Sequence, residues 1–162
     1  MDINNFATHP FVVIHKISFL KEKIIDYILK REMDLSFSQY MVLVFYDFFP
    51  NISQHGIAEL RNCTEASISR TTKLLIKKGL LEVGDIGNDR RTKKLRLTNK
   101  GKTLLKNAKK IVNKEFDSFC SVMTKNQKRE TFEILDKVWK KVFERGENLN
   151  IIKYKNHLKN KQ

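Results

Sequence analysis

A chain of 162 residues with 41% apolar side chains makes one domain with long helices and a core that needs no disulfide or metal staple. Lysine and arginine number 32 against 18 aspartate and glutamate, so the net charge of +14 calls for an anionic partner: DNA, RNA or an anionic membrane surface. Two cysteines give no disulfide framework and fit a reduced cytoplasmic protein, and the sequence shows neither a signal-peptide pattern nor an apolar run long enough to span a bilayer.

In chain order, Met1 to Pro10 reads as a polar arm. From Phe11 to about Arg31, Ile14, Ile17, Leu20, Ile24 and Ile28 keep helical spacing, and Val13, Ile25 and Leu29 widen the stripe. A helix apolar over more than one face packs on two sides, which asks for a partner chain as well as an internal core. Ser36-Phe37-Ser38-Gln39 is a capping box. It opens a very apolar, central helix (Met41, Leu43, Val44, Phe45, Phe48, Phe49) that Pro50-Asn51 ends.

Ser53 caps a short helix holding Ile57, Ala58 and Leu60, which Gly56 weakens in isolation. Arg61-Asn62-Cys63 breaks the pattern. Thr64 then caps a second helix, with Glu65 placed where the helix dipole favours a carboxylate. Ile68, Leu75 and the Thr71/Thr72 pair share one face, and Ala66, Ser67, Arg70 and Lys73 share another. Lys77-Lys78 and Gly79 mark the stop. Two helices joined by a tight turn, the second polar and basic outside, describe a helix-turn-helix. Leu80 to Val83 and Leu95-Arg96-Leu97 are short strands around a turn-rich tip, where Arg90, Arg91, Lys93 and Lys94 cluster: a basic wing.

Thr98 opens a long helix running through Leu104, Leu105, Ala108, Ile111, Val112, Phe116, Phe119, Val122 and Met123. Thr124 to Gln127 is a second capping box, followed by Phe132, Leu135, Val138, Trp139, Val142 and Phe143, with Gly146 as the stop. The fold class is mainly α with a small β-hairpin. Residues 1–35 and 98–146 are expected to form a helical dimerisation region around a winged helix-turn-helix at 36–97, because the apolar helices exceed what one small winged helix needs. Residues 147–162 form a basic tail; Asn150 to Gln162 carries four lysines and no acid, favouring a solvated tail over an arm that adds DNA affinity.

The run L-x-x-K-G-L-L from Leu75 to Leu81, Asp89-Arg90-Arg91, and Leu97-Thr98-x-x-Gly101 resemble the winged helix-turn-helix of the MarR/SlyA family of bacterial transcription regulators. The helix pattern follows that family more loosely from Phe11 to Glu144. The resemblance implies a homodimer built on the terminal helices, a helix from Thr64 to Lys78 in each major groove, and an operator that is an imperfect palindrome of double-stranded DNA. It also implies modulation by a small aromatic or anionic effector, or by oxidation.

On this reading Ser67 and Arg70 read base edges, the arginine suiting guanine O6 and N7, with a phosphate contact or surface ion pair a close alternative for Arg70. Ala66 meets a thymine methyl and Lys73 a phosphate. Thr64, Ser69 and Thr72 are phosphate donors or, with equal weight, capping and solvated residues. In the wing, the family's D-x-R pattern gives Asp89 an orienting role and Arg91 a place in the minor groove. Arg90, Lys93 and Lys94 contact the backbone, although a solvated loop explains Lys93 and Lys94 equally well.

Cys63 is read as a small, partly buried turn residue ahead of a redox switch, and Cys120 as structural within the long helix. His9, His15, His55 and His157 show no metal spacing, and no phosphate loop, nucleophile elbow or carboxylate pair announces an enzyme. Neither a cofactor nor a metal is expected. Asp47, Tyr46, Phe48, Phe49 and His15 border the region where relatives bind phenolic anions, but an apolar cluster is far more often core, and no ligand residue is assigned. The rival to a specific regulator is a nucleoid-type or silencing-antagonist DNA binder with little sequence preference, which the charge favours; either would be cytoplasmic and nucleoid-associated.

Overall fold

Pro10 begins the first helix, α1 (Pro10–Met33), where its missing N–H costs nothing, and the His9 imidazole accepts from the Phe11 N–H at 3.3 Å. The computed structural model describes residues 9–49, 51–84 and 94–148, so the arm at 1–8 and the tail from 149 lie outside it. Asp34 ends α1 in the left-handed conformation at φ 49 and bonds back to the Lys30 carbonyl at 3.1 Å.

Helix α2 (Phe37–Phe48) opens on the complete capping box: Gln39 N–H to Ser36 Oγ at 3.2 Å and Ser36 N–H to Gln39 Oε1 at 3.1 Å. A second anchor comes from α1, where Asp26 accepts from the Phe37 N–H at 2.8 Å and pairs with Lys30 at 2.7 Å. The short α3 (Gln54–Leu60) and the longer α4 (Glu65–Lys77) start at Ser53 and Thr64 as the sequence implies. Strands β1 (Leu81–Val83) and β2 (Leu95–Leu97) pair antiparallel, with Leu81 opposite Leu97 and Glu82 opposite Arg96. Helix α5 (Asn99–Phe119), a 3-10 turn (Cys120–Val122) and α6 (Lys125–Asn148) complete the described chain.

Helix α2 is the hub, packing on α1, α4, α5 and β2. Its Val42 and Leu43 are fully buried with Ile25 and Leu29 of α1, Ile57 of α3, Leu75 of α4 and Leu105 of α5. The wing base is locked to α5: Thr98 Oγ1 donates to the Gly79 carbonyl at 2.7 Å, and a Cβ on Gly101 would collide with the Leu80 carbonyl. This is the physical content of the Leu-Thr-x-x-Gly spacing.

Three expectations are corrected. The long helix stops at Phe119 rather than running to Met123, and Cys120 sits half-buried in the 3-10 turn that follows. Gly146 does not stop α6; it is buried inside the helix, which runs to Asn148. Cys63 is exposed rather than partly buried: the turn fixes its backbone, whose N–H donates to the Ala58 carbonyl at 3.0 Å, and leaves its side chain in solvent.

Among the described residues, the outer stripe of α1 and the apolar positions of α6 find no cover. Ile17 is 61% exposed, Leu20 56%, Phe132 69% and Trp139 55%. Among the described residues no helix is long and apolar enough to cross a membrane.

Candidate nucleic-acid interface

The α3–α4 corner is tight because Asn62 adopts a left-handed φ of 49 and the Cys63 N–H closes on the Ala58 carbonyl at 3.0 Å. Thr64 Oγ1 accepts from the Ser67 N–H at 3.2 Å, so its hydroxyl oxygen serves the helix first. Ile68, Thr72 and Leu75 turn inward and are buried. On the opposite side, Ala66, Arg70, Lys73 and Lys77 are exposed at spacings of four, three and four, which is one continuous outer stripe. Ser67 and Ser69 flank it, half-buried. Among the described residues Arg70, Lys73 and Lys77 make no ion pair, so three cations stand unneutralised on one helix face.

The stripe brings together Ala66, Arg70 and Lys73 as the sequence implies and keeps Thr64 and Ser69 at its margins. Thr72 is corrected: at 1% exposure its hydroxyl faces the core beside Tyr46 and reaches no phosphate. Lys77 belongs to the stripe, although its sequence position suggested only a C-terminal charge; the signal was the same spacing of three and four that identified its neighbours.

Lys78 behaves differently. Its ammonium turns back to Asp34, 2.8 Å from the carbonyl and 2.9 Å from the carboxylate, and its own carbonyl accepts from Lys100 Nζ at 3.0 Å. The end of α4 is therefore tied both to the end of α1 and to the start of α5. At the other end, His55 of α3 lies 3.4 Å from the Glu59 carboxylate and 3.5 Å from that of Glu65.

In the wing, Asp89, Arg90, Arg91 and Lys93 lie outside the described residues. Lys94 is exposed at the start of β2, and its carbonyl accepts from the Gly84 N–H at 2.7 Å. Arg96 points outward too, but Glu82 across the hairpin holds it at 2.8 Å.

Between α1, α2 and α5 lies a cavity of about 480 Å³, lined by Lys21, Glu22, Phe37, Tyr40, Met41, Val44, Phe45, Leu60, Arg61, Val112 and Phe116. It occupies the region the sequence pointed to but uses other side chains. Tyr46 is buried in the core, where burial raises its phenol pKa and the neighbouring Thr72 opposes that shift; Asp47 pairs with Lys109 at 2.7 Å; His15 is exposed. Burial also raises the phenol pKa of Tyr40 in the cavity wall. Lys21 and Arg61 each stand 5.9 Å from the Phe37 ring, and Arg61 also reaches Ser38 Oγ at 3.3 Å. An aromatic wall flanked by two cations suits a flat anion. Among the described residues no three His, Cys, Asp or Glu side chains come together as metal ligands would.

Residues 33–92 match the model of the MarR family. No curated protein matches the chain in sequence. In structure the chain resembles the transcriptional regulator BldR from Sulfolobus solfataricus, at 23% identity over 87% of this chain and 99% of that one, with a TM-score of 0.71. It also resembles a mutant MarR from E. coli complexed with operator DNA, at 19% identity over 85% and 99% of the two chains and a TM-score of 0.69. A third is the Mycobacterium tuberculosis MarR family protein Rv2887 in complex with salicylic acid, at 18% identity over 80% and 95%, with a TM-score of 0.69. At such identities the likeness is one of fold, and the fold is the winged helix of MarR-type regulators with its long flanking helices.

Proposed function

We propose that this chain, whose residues 33–92 carry the winged helix of the MarR family, is a transcription regulator of the MarR/SlyA type that binds double-stranded DNA as a homodimer. The observation that carries the reading is the outer stripe of α4, exposed and cationic on the helix that the fold presents outward. Arg70 and Ser67 read base edges, Ala66 meets an apolar base edge, and Lys73 and Lys77 take phosphates. Thr64 and Ser69 border the groove. Asp89, Arg90, Arg91, Lys93 and Lys94 of the wing add minor-groove and backbone contacts. A two-fold dimer places two α4 helices about one DNA turn apart, so the operator is an imperfect palindrome. The 36–97 unit holds the DNA, and the helices of 1–35 and 98–146 hold the partner. The cytoplasm, on the nucleoid, is where such a protein works.

The related Rv2887 complex holds salicylic acid, and the cavity here offers aromatic walls with Lys21 and Arg61 at its edge. A small aromatic anion bound there would touch Arg61, which caps α3 and leads into the helix-turn-helix corner. Binding would then shift the distance between the two α4 helices without touching a DNA contact.

The test is fluorescence anisotropy with a duplex from the chain's own upstream region, beside a scrambled duplex. A preference of about a thousandfold for the native duplex is expected, lost with Arg70→Ala or Arg91→Ala. Equal binding of the scrambled duplex would instead favour the second reading, a nucleoid-type or silencing-antagonist binder with little sequence preference, which the net charge of +14 supports. Absence of binding to any duplex at low salt would sink both.

A further inference from the structure

Residues 99–114 carry six lysines and no acid. Two of the six are engaged: Lys100 with the Lys78 carbonyl at 3.0 Å and Lys109 with Asp47 at 2.7 Å. The other four, Lys102, Lys106, Lys110 and Lys114, are exposed and spaced by four along α5. None has an ion pair or hydrogen bond among the described residues. Like charges at that spacing repel and weaken a helix. Here the row persists over about 18 Å at 1.5 Å per residue. The opposite face (Leu105, Ala108, Val112) holds α5 in the core, so packing fixes the row's direction.

What surrounds the row decides its partner. Its companions on the outer face are Thr103, Asn107 and Asn113, all exposed and polar, with one exposed carboxylate, Asp117, at the C-terminal end beyond Lys114. A protein partner needs apolar or aromatic anchors at the centre of an interface, and this face has none. Phosphates need only point charges on a flexible stem, and lysine supplies those. Position adds continuity: α5 starts where Thr98 and Gly101 rest on Gly79 and Leu80, immediately after α4 and at the base of the wing. The first lysine of the row therefore follows directly on the surface assigned to the operator.

We infer that the lysine row on α5 binds the sugar-phosphate backbone of duplex DNA flanking the site held by α4 and the wing, as that DNA bends back along the protein. This inference rests on the DNA-binding reading above. Added phosphate contacts offset the elastic cost of the bend, as in other proteins that wrap DNA.

The experiment titrates salt against binding of two random-sequence duplexes, one of ~20 base pairs covering two helical turns and one of ~60. The proteins are wild type, Arg70→Ala, and a variant carrying Lys102→Gln, Lys106→Gln, Lys110→Gln and Lys114→Gln. The slope of log K against log salt does not depend on how many sites a duplex offers, so it counts contacts. On the long duplex the fourfold variant is expected to lose about 0.9 of slope per phosphate contact, up to ~4 per protomer, while on the short duplex it matches wild type. An unchanged long-duplex slope, with Arg70→Ala weakened on both duplexes, overturns the inference and leaves the DNA-binding reading intact. Equal losses on short and long duplexes also overturn it, since the row would then lie over the central site. Binding of polyglutamate by wild type but not by the variant, with duplex slopes unchanged, assigns the row to an acidic protein. Wild type that binds neither duplex overturns both readings. Glutamine keeps helix propensity and removes the repulsion, so the variant should melt at or above wild type; if it does not, Lys106→Gln with Lys110→Gln must show half the slope change.

Discussion

Asp26 shows how one carboxylate can join two helices. Burial alone would raise its pKa, but the hydrogen bond from Lys30 and the one from the Phe37 N–H outweigh it and hold the group below its ordinary 3.8. A depressed folded-state pKa stabilises the fold above the unfolded value and loses that contribution as pH falls through the folded value. Asp26→Ala should therefore cost about 1 kcal/mol at neutral pH. The difference from wild type should shrink as pH drops below 3.8. Urea denaturation at pH 7 and pH 3 checks this; a difference independent of pH would mean that the carboxylate charge contributes nothing. Gly101 makes the opposite kind of point. Alanine inside an exposed helix gains about 1 kcal/mol over glycine. At Gly101 the added methyl would meet the backbone carbonyl of Leu80, which cannot rotate away as a side chain would. Overpacking of that kind costs about 1–3 kcal/mol, so Gly101→Ala should lower stability despite its better propensity. A raised denaturation midpoint would show that α5 slides on the wing base at little cost.

At the scale of elements, the starts of the helices were the most legible features, because a cap is a local rule: Ser36, Ser53, Thr64, Thr98 and Thr124 all sit where a side-chain oxygen meets an orphan N–H. The ends were less so. Gly79 with its φ of 69 follows the last turn of α4 as expected, but Gly146 is a helical residue and Phe119 ends α5 without any glycine or proline to announce it. Spacing found the outer stripe of α4, and only burial separated Thr72 from it. Lys77 was hidden because a cation near a helix C-terminus already has an electrostatic explanation. The lining of the cavity, though not its region, was hidden for another reason: which turn of α2 faces Lys21 and Arg61 depends on how three helices cross, and no single helix encodes that. The stripe yields a paired prediction. Lys77→Ala should weaken all duplexes alike and reduce the salt slope by about 1 per protomer, whereas Arg70→Ala should also flatten discrimination between sequences. Anisotropy over a panel of single-base operator variants separates them. If Lys77→Ala changes the order of preference, that lysine reads a base.

At the scale of the molecule, the described residues show a cationic stripe on the outer face of α4, while α1 and α6 each expose a stripe of large apolar side chains among charged ones. Among the described residues nothing covers the apolar stripes of α1 and α6. Ile17, Leu20, Phe132 and Trp139 each expose more than half of their surface. Rows of exposed large apolar side chains of this kind mark an interface. A second copy brings the same faces, and α1 and α6 lie at the two ends of the described chain, free to interleave with their equivalents about a two-fold axis. The joint at Lys78 and Asp34, 2.9 Å apart, runs from the end of α1 to the end of α4, so a shift of α1 reaches α4 through this ion pair and the packing around it. Trp139 is the only tryptophan and stands on the apolar face of α6, so its emission reports assembly directly. Dilution should shift that emission to longer wavelength as the indole meets water, in step with the mass change seen by sedimentation. Mass action with a second copy on this face should make the melting temperature rise with protein concentration. Trp139→Asp places a charge on the apolar stripe of α6 and should leave a monomer that binds DNA weakly even though no proposed DNA contact has changed. Emission and melting temperature that ignore concentration, with a monomeric mass throughout, would mean that the apolar face is covered by something other than a second copy.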